Sequence, residues 1–459
     1  MSPNIPRRDF LKQIGAAGAG LGMAAGTALP AAAKSAPNMR AARAGRPLGA
    51  GERVRIAVIG VNSRGEALAE CFAGLPGVEV AAICDVDERA VGKGIAAVRR
   101  YSKTDPKSLR DFRKALEDPA IDAVAIATPD HWHAPMSILA LAAGKHVFVE
   151  KPCSHNGREG ELLIEAVHKS KRVFQMGAQR RSFPNMIQAI AEIRAGRIGT
   201  TTLAKGWYAN NRGSIGRGKP APVPSWLDYE LWQGPAPRRP YRDNLIHYNW
   251  HWFWHWGTGE TLNNGTHEID VCRWALGVDW PRRVVASGGR YHFQDDWETP
   301  DTQVITWDYA AGKTITWESR SCNDHPVERL SRGVMIYGTE GSALLDGNAY
   351  TLYDPKGKAI REVKSNAAAA DPTNPISATG LDLDQVHVRN FVDAVRSGGK
   401  TTCGVEDAHM STGMLHLGNI AWRVGRALDI EPATGRVRND PAAMELWGRA
   451  YEPGWEPVV

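Results

Sequence analysis

Between Gly60 and Gly65 the sequence reads GVNSRG, with Asn62 where a second glycine would complete a G-x-G-x-x-G turn. Set between a strand and a helix, such a turn lets backbone N–H groups approach a pyrophosphate, and the helix N-terminus favours the negative charge. Gly60, Asn62, Arg64 and Gly65 are therefore candidate contacts to a dinucleotide. The fingerprint alone is weak. Asn62 fits it if its backbone turns left-handed, which asparagine tolerates better than most residues. Asp85 strengthens the case, because it ends the next apolar run, VEVAAICD, near the expected offset of about 20 residues. A carboxylate there accepts hydrogen bonds from ribose hydroxyls and repels a 2′-phosphate, so NAD is favoured over NADP. Thr128 and Pro129 close a third run, DAVAIATPD, at the sheet edge where nucleotides bind in open α/β folds.

The stretch HYNWHWFWHWGTGE, residues 247–260, alternates Trp250, Trp252, Trp254 and Trp256 with His251, Phe253 and His255. Period two predicts a strand or extended segment with one aromatic face. Flat aromatic faces pack on the C–H faces of sugars and histidines add hydroxyl ligands, so Trp254 and His255 are candidate substrate contacts. A buried aromatic core strand is the competing reading. His247, His251 and His255 have no carboxylate or cysteine ligand evident nearby, and the six cysteines show no Cys-x-x-Cys or Cys/His spacing. No metal site is expected, and the cysteines read as small buried hydrophobes. In QMGAQRRSFP, Gln179, Arg180 and Arg181 can border cofactor and substrate, although two arginines at a helix entry are usually solvated.

The elements that position these residues are legible as well. Strand-type runs alternate with helical ones from Arg53 to Met176, which predicts a parallel sheet with right-handed crossovers. After residue 176, TTLAKGWYA, RRVVASGGRYHF, TQVITWDYA, KTITWESRS, RGVMIYG and ALLDGNAYTLYD are β-type runs divided by Gly, Asp and Asn turns. Residues 366–380 read as an exposed loop. At the start, Arg7 and Arg8 precede FLK, a Gly/Ala-rich run and Ala31-Ala32-Ala33, the layout of a twin-arginine export signal over 1–33, with a linker at 34–52. Export by that route predicts a periplasmic enzyme. The net charge of +6 is partly carried by basic residues before position 50, and no nucleic-acid partner is expected. No stretch of 18 strongly apolar residues is present, so no membrane span is expected.

Four pieces together resemble the glucose–fructose oxidoreductase, inositol dehydrogenase and rhizopine-catabolism (Gfo/Idh/MocA) family: IAVIGVNSRG, ATPDHWHAPMSILALAAGKHVFVEKP, NNGTHEIDVCRWALG, and the C-terminal FVDAVRSGGK with HLGNIAWRVGRAL. They run from about residue 53 to 430. The resemblance implies a Rossmann-like parallel-sheet α/β domain at 53–176. An α+β domain with a large open, mostly antiparallel sheet follows at 177–459, and members often pair through it. A homo-oligomer, dimer or tetramer, is therefore expected. The resemblance further places Lys151 beside the nicotinamide to move the substrate hydroxyl proton, with Glu150 bonding the cofactor or orienting Lys151. Pro152 becomes a candidate cis peptide. His133 matches a family histidine with a local hydrogen-bonding role. His267 becomes an acid/base partner or hydroxyl ligand, and Asp270, three residues on, shares its helix face or pairs with Arg273. The family's usual carboxylate four residues before that histidine is Asn263 here. Asparagine binds a hydroxyl but accepts no proton, so Lys151 and His267 would share the proton work.

A lysine handles such a proton when desolvation or a nearby cation lowers its pKa. The leading expectation is an exported NAD-dependent oxidoreductase acting on a hydroxyl of a sugar, glycoside or polyol, with tightly held NAD. An NAD-dependent glycoside hydrolase or lyase, working through transient oxidation and elimination, is the alternative. A non-enzymatic sugar or NAD sensor ranks last, because Lys151 is present.

Overall fold

The structure, a computed structural model, describes residues 53–365 and 380–459. The expected signal and linker over 1–52 lie outside the described residues, as does the expected loop apart from Gly380.

The first sheet is built from β1 (Val54–Ile59), α1 (Arg64–Ala73), β2 (Val78–Cys84), α2 (Glu88–Arg99), β3 (Lys107–Leu109), α3 (Arg113–Glu117), β4 (Ala123–Ile126), α4 (Asp130–Ala142), β5 (His146–Val149), α5 (Gly157–Ser170) and β6 (Phe174–Met176). Its order is β3-β2-β1-β4-β5-β6 and every pairing is parallel. Helices cover both faces, which is why β4 reads as the unbroken apolar run AVAI rather than an alternating one. The chain reverses its direction of winding between β1 and β4. Their carboxyl ends splay apart there, and Gly60 and Thr128 flank the crevice.

Then come α6 (Pro184–Arg194), β7 (Thr201–Ala209), α7 (Tyr229–Gln233), α8 (Gly259–Asn263) and α9 (Gly265–Leu276). The strands β8 (Arg283–Gly289), β9 (Thr302–Asp308), β10 (Thr314–Arg320), β11 (Arg332–Gly338), β12 (Gly341–Asp346), β13 (Ala349–Tyr353) and β14 (Ala359–Val363) follow. The chain closes with α10 (Gly380–Ser397), α11 (Val405–Val424), β15 (Leu428–Asp429) and α12 (Pro441–Glu445). The second sheet has nine strands, ordered β14-β13-β12-β11-β7-β10-β9-β8-β15, antiparallel except where β10 meets β7. Alternation sets its faces. Ile315 lies opposite Trp307 and Trp317 opposite Ile305, all four buried in the core shared with α9 and α11. Val285, Val304 and Tyr337 face the other way and are exposed.

Two departures from a simple succession of domains matter for the site. Helix α10 returns to the first domain, where Val388, Phe391, Val392 and Val395 pack with Phe72 and Phe148. The excursion between β7 and α8 also crosses back. Asp228 N donates to Val86 O (3.0 Å), Glu88 N donates to Trp226 O (3.1 Å), and His247 Nε2 bonds Asp87 (2.8 Å).

That excursion corrects the expected aromatic strand. Residues 249–252 form a 3-10 turn, and backbone bonds close locally, from His251 N to Tyr248 O and from Phe253 N to Trp250 O. Among the described residues no strand pairs with the segment, so its rings radiate instead of lining one face. Trp252 stacks on Trp297 (4.0 Å between ring centroids), while Trp256 meets Trp232 (4.8 Å). All six cysteines are free and buried.

Candidate active site

A cavity of about 500 Å³ lies between the two domains, along the carboxyl ends of β1, β2 and β4. At one end Gly60 takes φ +82, and a Cβ there would stand 2.7 Å from Ala127 O. A side chain at Gly65 would overlap Gly60 O. Glycine is needed at both positions, and the turn delivers the N-terminus of α1 to the cavity. Asn62 does not take the left-handed backbone expected of it; Gly60 alone does so in this turn. The Asn62 carboxamide instead accepts from Lys93 of α2 (3.0 Å).

Asp85 lines the cavity at the end of β2. Its two oxygens accept from Val61 N (2.7 Å) and Asp87 N (2.9 Å), which locks it to the glycine turn, and burial raises its pKa. Thr128 Oγ1 lines the same cavity, buried and without a hydrogen-bond partner. An orphaned hydroxyl, two positions closed to any side chain and a carboxylate at the strand end suit a dinucleotide. Leu231, Trp232 and His247 of the excursion wall the cavity beside Asp85, Arg110 and Phe112.

At the other end Lys151 follows β5, after which the Lys151–Pro152 peptide is cis. Its Nζ donates to Asn263 O (2.5 Å) and Asn263 Oδ1 (3.1 Å). Burial lowers the Lys151 pKa below the ordinary value, against the opposing pull of Glu150, Asp130 and Glu260. His267, on α9, lines the cavity. Burial holds it well below the usual histidine value, and Lys151, Arg332, Arg180 and Arg64 add to the effect, so at neutral pH it is an uncharged imidazole. Asp130, buried at the start of α4, accepts from Thr258 Oγ1 (2.6 Å), and burial raises its carboxyl.

Other expected residues satisfy one another. Arg64 donates to Glu150 (2.7 Å) and to Asp384 of α10 (2.6 Å). Gln179, with its amide turned to donate to Gly177 O (2.9 Å), accepts from Arg64 (2.6 Å). Arg64, Glu150 and Gln179 line the cavity. His133 is held between Thr128 O (2.7 Å) and Pro152 O (2.6 Å), so it ties the two cavity ends together through the backbone. Its neighbour His131 points elsewhere, to Trp232 O (3.0 Å).

Four expected substrate contacts fall outside the cavity lining. Trp254 packs against Trp422 and Arg423, and its N–H donates to Glu298. His255 bonds Pro237 O (2.8 Å). Arg180 is spent on buried Glu268 (2.9 Å). Asp270 is gripped by Arg181 and Ser411, not by Arg273, which pairs with Asp407. For Arg180 and Asp270 burial selects an internal partner over solvent or ligand. Tyr248, Trp250 and His251 of the aromatic run face the cavity in their place, beside Asn264. The run itself was the signal for these three, but the periodicity put the wrong residues inward. Asp384 and Leu231 carried no local signal.

The family model described as "Oxidoreductase family, NAD-binding Rossmann fold" matches residues 54–178, and its partner, "Oxidoreductase family, C-terminal alpha/beta domain", matches 204–456. The chain belongs to the Gfo/Idh/MocA oxidoreductase family. It is accordingly an NAD-binding member, and the cavity lies where the dinucleotide belongs in such a fold. A "Glycosyl hydrolase family 109 protein" of Saccharopolyspora erythraea is 31% identical over 345 residues, 73% of this chain and 72% of that one. A "Glycosyl hydrolase family 109 protein 1" of Shewanella sp. (strain ANA-3) is 37% identical over 176 residues, 37% of this chain and 38% of that one. Among solved structures, a levoglucosan dehydrogenase in complex with NADH superposes with a TM-score of 0.64 at 20% identity, covering 83% of this chain and all of that one. This last likeness is one of fold.

Proposed function

We propose that this Gfo/Idh/MocA protein oxidises a hydroxyl of a sugar or glycoside. The observation that carries the reading is the meeting of Lys151, Asn263 and neutral His267 in the cavity that Gly60, Asp85 and Thr128 also line. Gly60, Gly65, Asp85 and Thr128 would hold NAD, which supplies the hydride acceptor for the carbon being oxidised. Lys151 takes the proton of the reacting hydroxyl, since the C–H bond gives up hydride only as that O–H is lost. Asn263 holds the Lys151 amine in place, and His267 accepts a second hydroxyl or the proton that Lys151 releases. Tyr248, Trp250 and His251 offer the flat faces on which a sugar ring packs.

A second reading is glycoside cleavage, favoured by the glycosyl hydrolase family 109 relatives. It shares the oxidation. His267 would then remove the proton from the carbon beside the new ketone, the glycosidic oxygen would depart with the electron pair and take up a proton, water would add across the resulting double bond, and the hydride taken in the first step would return to the ketone carbon. Purified Lys151→Ala should remain folded and bind NAD while turnover falls by about two to four orders of magnitude, the size of a general acid/base contribution. Stopped-flow absorbance of bound nicotinamide beside product analysis, over a panel of sugars and glycosides, separates the two readings. Full turnover in Lys151→Ala defeats both.

Retained NAD belongs to the same proposal, supported by cavity walls drawn from both domains at the Asp85 end. Mass spectrometry of nucleotide released on denaturation tests it. Export rests on Arg7 and Arg8, and their replacement by lysine should strand the protein in the cytoplasm. Pairing through the open sheet face rests on exposed Val285, Val304 and Tyr337, and Val304→Glu should lower the sedimenting mass.

A further inference from the structure

Glu260 is the second residue of α8 and lies three residues before Asn263. It is 1% exposed. Its carboxylate joins two residues of the cavity wall, Asn263 and Asn264, to Arg212 and Ser321. Oε1 accepts from Asn263 Nδ2 (3.3 Å) and, at close range, from Asn264 Nδ2. Oε2 accepts from Arg212 Nε (2.8 Å) and Ser321 Oγ (3.3 Å). Arg212 in turn donates to Tyr248 Oη (2.8 Å) on the cavity rim. The Asn263 amide is thus held at both ends. Its nitrogen donates to Glu260, which leaves its oxygen to accept from Lys151 Nζ, and the reversed amide would set oxygen against carboxylate and NH2 against ammonium.

We propose that Glu260 is a positioning residue for the reaction, a buried carboxylate that fixes the Asn263 amide and, through it, both the place and the charge state of the Lys151 amine. Buried side-chain networks of this kind are stronger than isolated pairs because each bond polarises the next. The inference rests, for its catalytic consequence, on the reading that Lys151 moves the hydroxyl proton. The other groups facing Lys151 are Glu150 beside it in the chain, Asp130 on α4, His267 on α9, His251 in the 3-10 turn and Arg332 on β11. Glu260 is the one among these carboxylates that reaches the amine through a side chain hydrogen-bonded to it. The charge of Glu260 favours the ammonium form, so removing it makes the amine neutral at lower pH.

The test reads the amine directly. Full-length protein is labelled with an amine-selective acylating reagent across a pH series, and the rate at Lys151 is followed by peptide mass spectrometry, with no substrate present. The labelling midpoint should fall by about one pH unit in Glu260→Gln, which below the midpoint is about a tenfold faster reaction. Glu260→Asp, which keeps the charge, should restore most of the parental midpoint. Asn263→Ala reads the same link from its other end if Glu260→Gln does not accumulate folded. It should also lower the midpoint, and the double variant should shift less than the sum of the singles. A Glu260 that merely packs would lower Tm in Glu260→Gln and leave the midpoint in place. That result, or an Asp variant shifted as far as the Gln variant, overturns the proposal. Turnover retained in Lys151→Ala would remove the lysine's role without touching this coupling, so the two failures are distinguishable.

Discussion

At the scale of single residues, the site separates cofactor choice from proton handling. Asp85 accepts from Val61 N of the glycine turn with one oxygen and from Asp87 N with the other, so it acts both as a ribose acceptor and as a brace. Asp85→Ser should therefore weaken NAD binding and improve tolerance of NADP, because a hydroxyl neither repels a 2′-phosphate nor holds two N–H groups. Calorimetry on nucleotide-free protein checks this, and equal NAD affinity in variant and parent counts against the assignment. Asn263 supplies a test of opposite sign to Glu260→Gln. Asn263→Asp sets a second carboxylate against Glu260 and beside Lys151, so it raises the pKa of the lysine. If oxidation needs the neutral amine, the rising limb of kcat/KM against pH moves to higher pH in this variant. A limb that stays put, or moves down, separates Lys151 from that titration.

At the scale of elements, the tail after α11 clasps the first domain. Trp447 lies against Gly157, where a side chain would collide with its ring, and Trp455 meets Trp132 edge to face (5.3 Å). Between them Arg449 donates to Glu159 (2.9 Å), a carboxylate with no exposure, and to His131 O (2.7 Å). Removing one partner of a buried ion pair leaves the other desolvated and costs about 3–5 kcal/mol. Arg449→Met should lower Tm by several degrees without changing NAD affinity, since neither residue lines the cavity. An unchanged Tm would show that this ion pair contributes no stability to the first domain. Glu159→Gln combined with Arg449→Met should recover part of the loss, because the stranded charge is gone.

Over the whole molecule, burial of histidine dominates the response to acid. All fourteen histidines fall among the described residues, and burial lowers the pKa of nine of them: His146, His255, His387 and His409 to about 4, His416 to about 3, and His131, His155, His251 and His267 well below the usual histidine value. In the unfolded chain each takes up a proton near pH 6.5. Below that pH the unfolded state binds more protons than the folded one, so stability falls as pH drops from about 6.5 toward 4. The slope is about 1.4 kcal/mol per pH unit for each fully buried histidine, and less for the half-buried His255, whose charge solvent screens. Melting temperature measured between pH 7.5 and 5 should fall steadily, with proton uptake on unfolding. A flat profile would mean that the buried rings find partners on protonation.

The amino-acid sequence by itself determined the alternating strands and helices of the first domain, the turn at Gly60, Asp85 at the strand end and the β-runs of the second sheet. Each of these depends on local period and on backbone chemistry within a few residues. It also marked Lys151, His267 and Asn263, because a motif carries its own neighbours with it. Tertiary structure alone decided which residues of the aromatic run face the cavity, since a segment with no strand to pair with takes its orientation from what it packs against. It alone brought Asp384 to Arg64, Leu231 and Trp232 to the wall beside Asp85, and Glu260 to the amide that holds Lys151. It withdrew Arg180 and Asp270 from the candidate site for the same reason. A buried charge is paired with whatever opposite charge the fold delivers, and that partner can stand 89 residues away, where no spacing rule reaches.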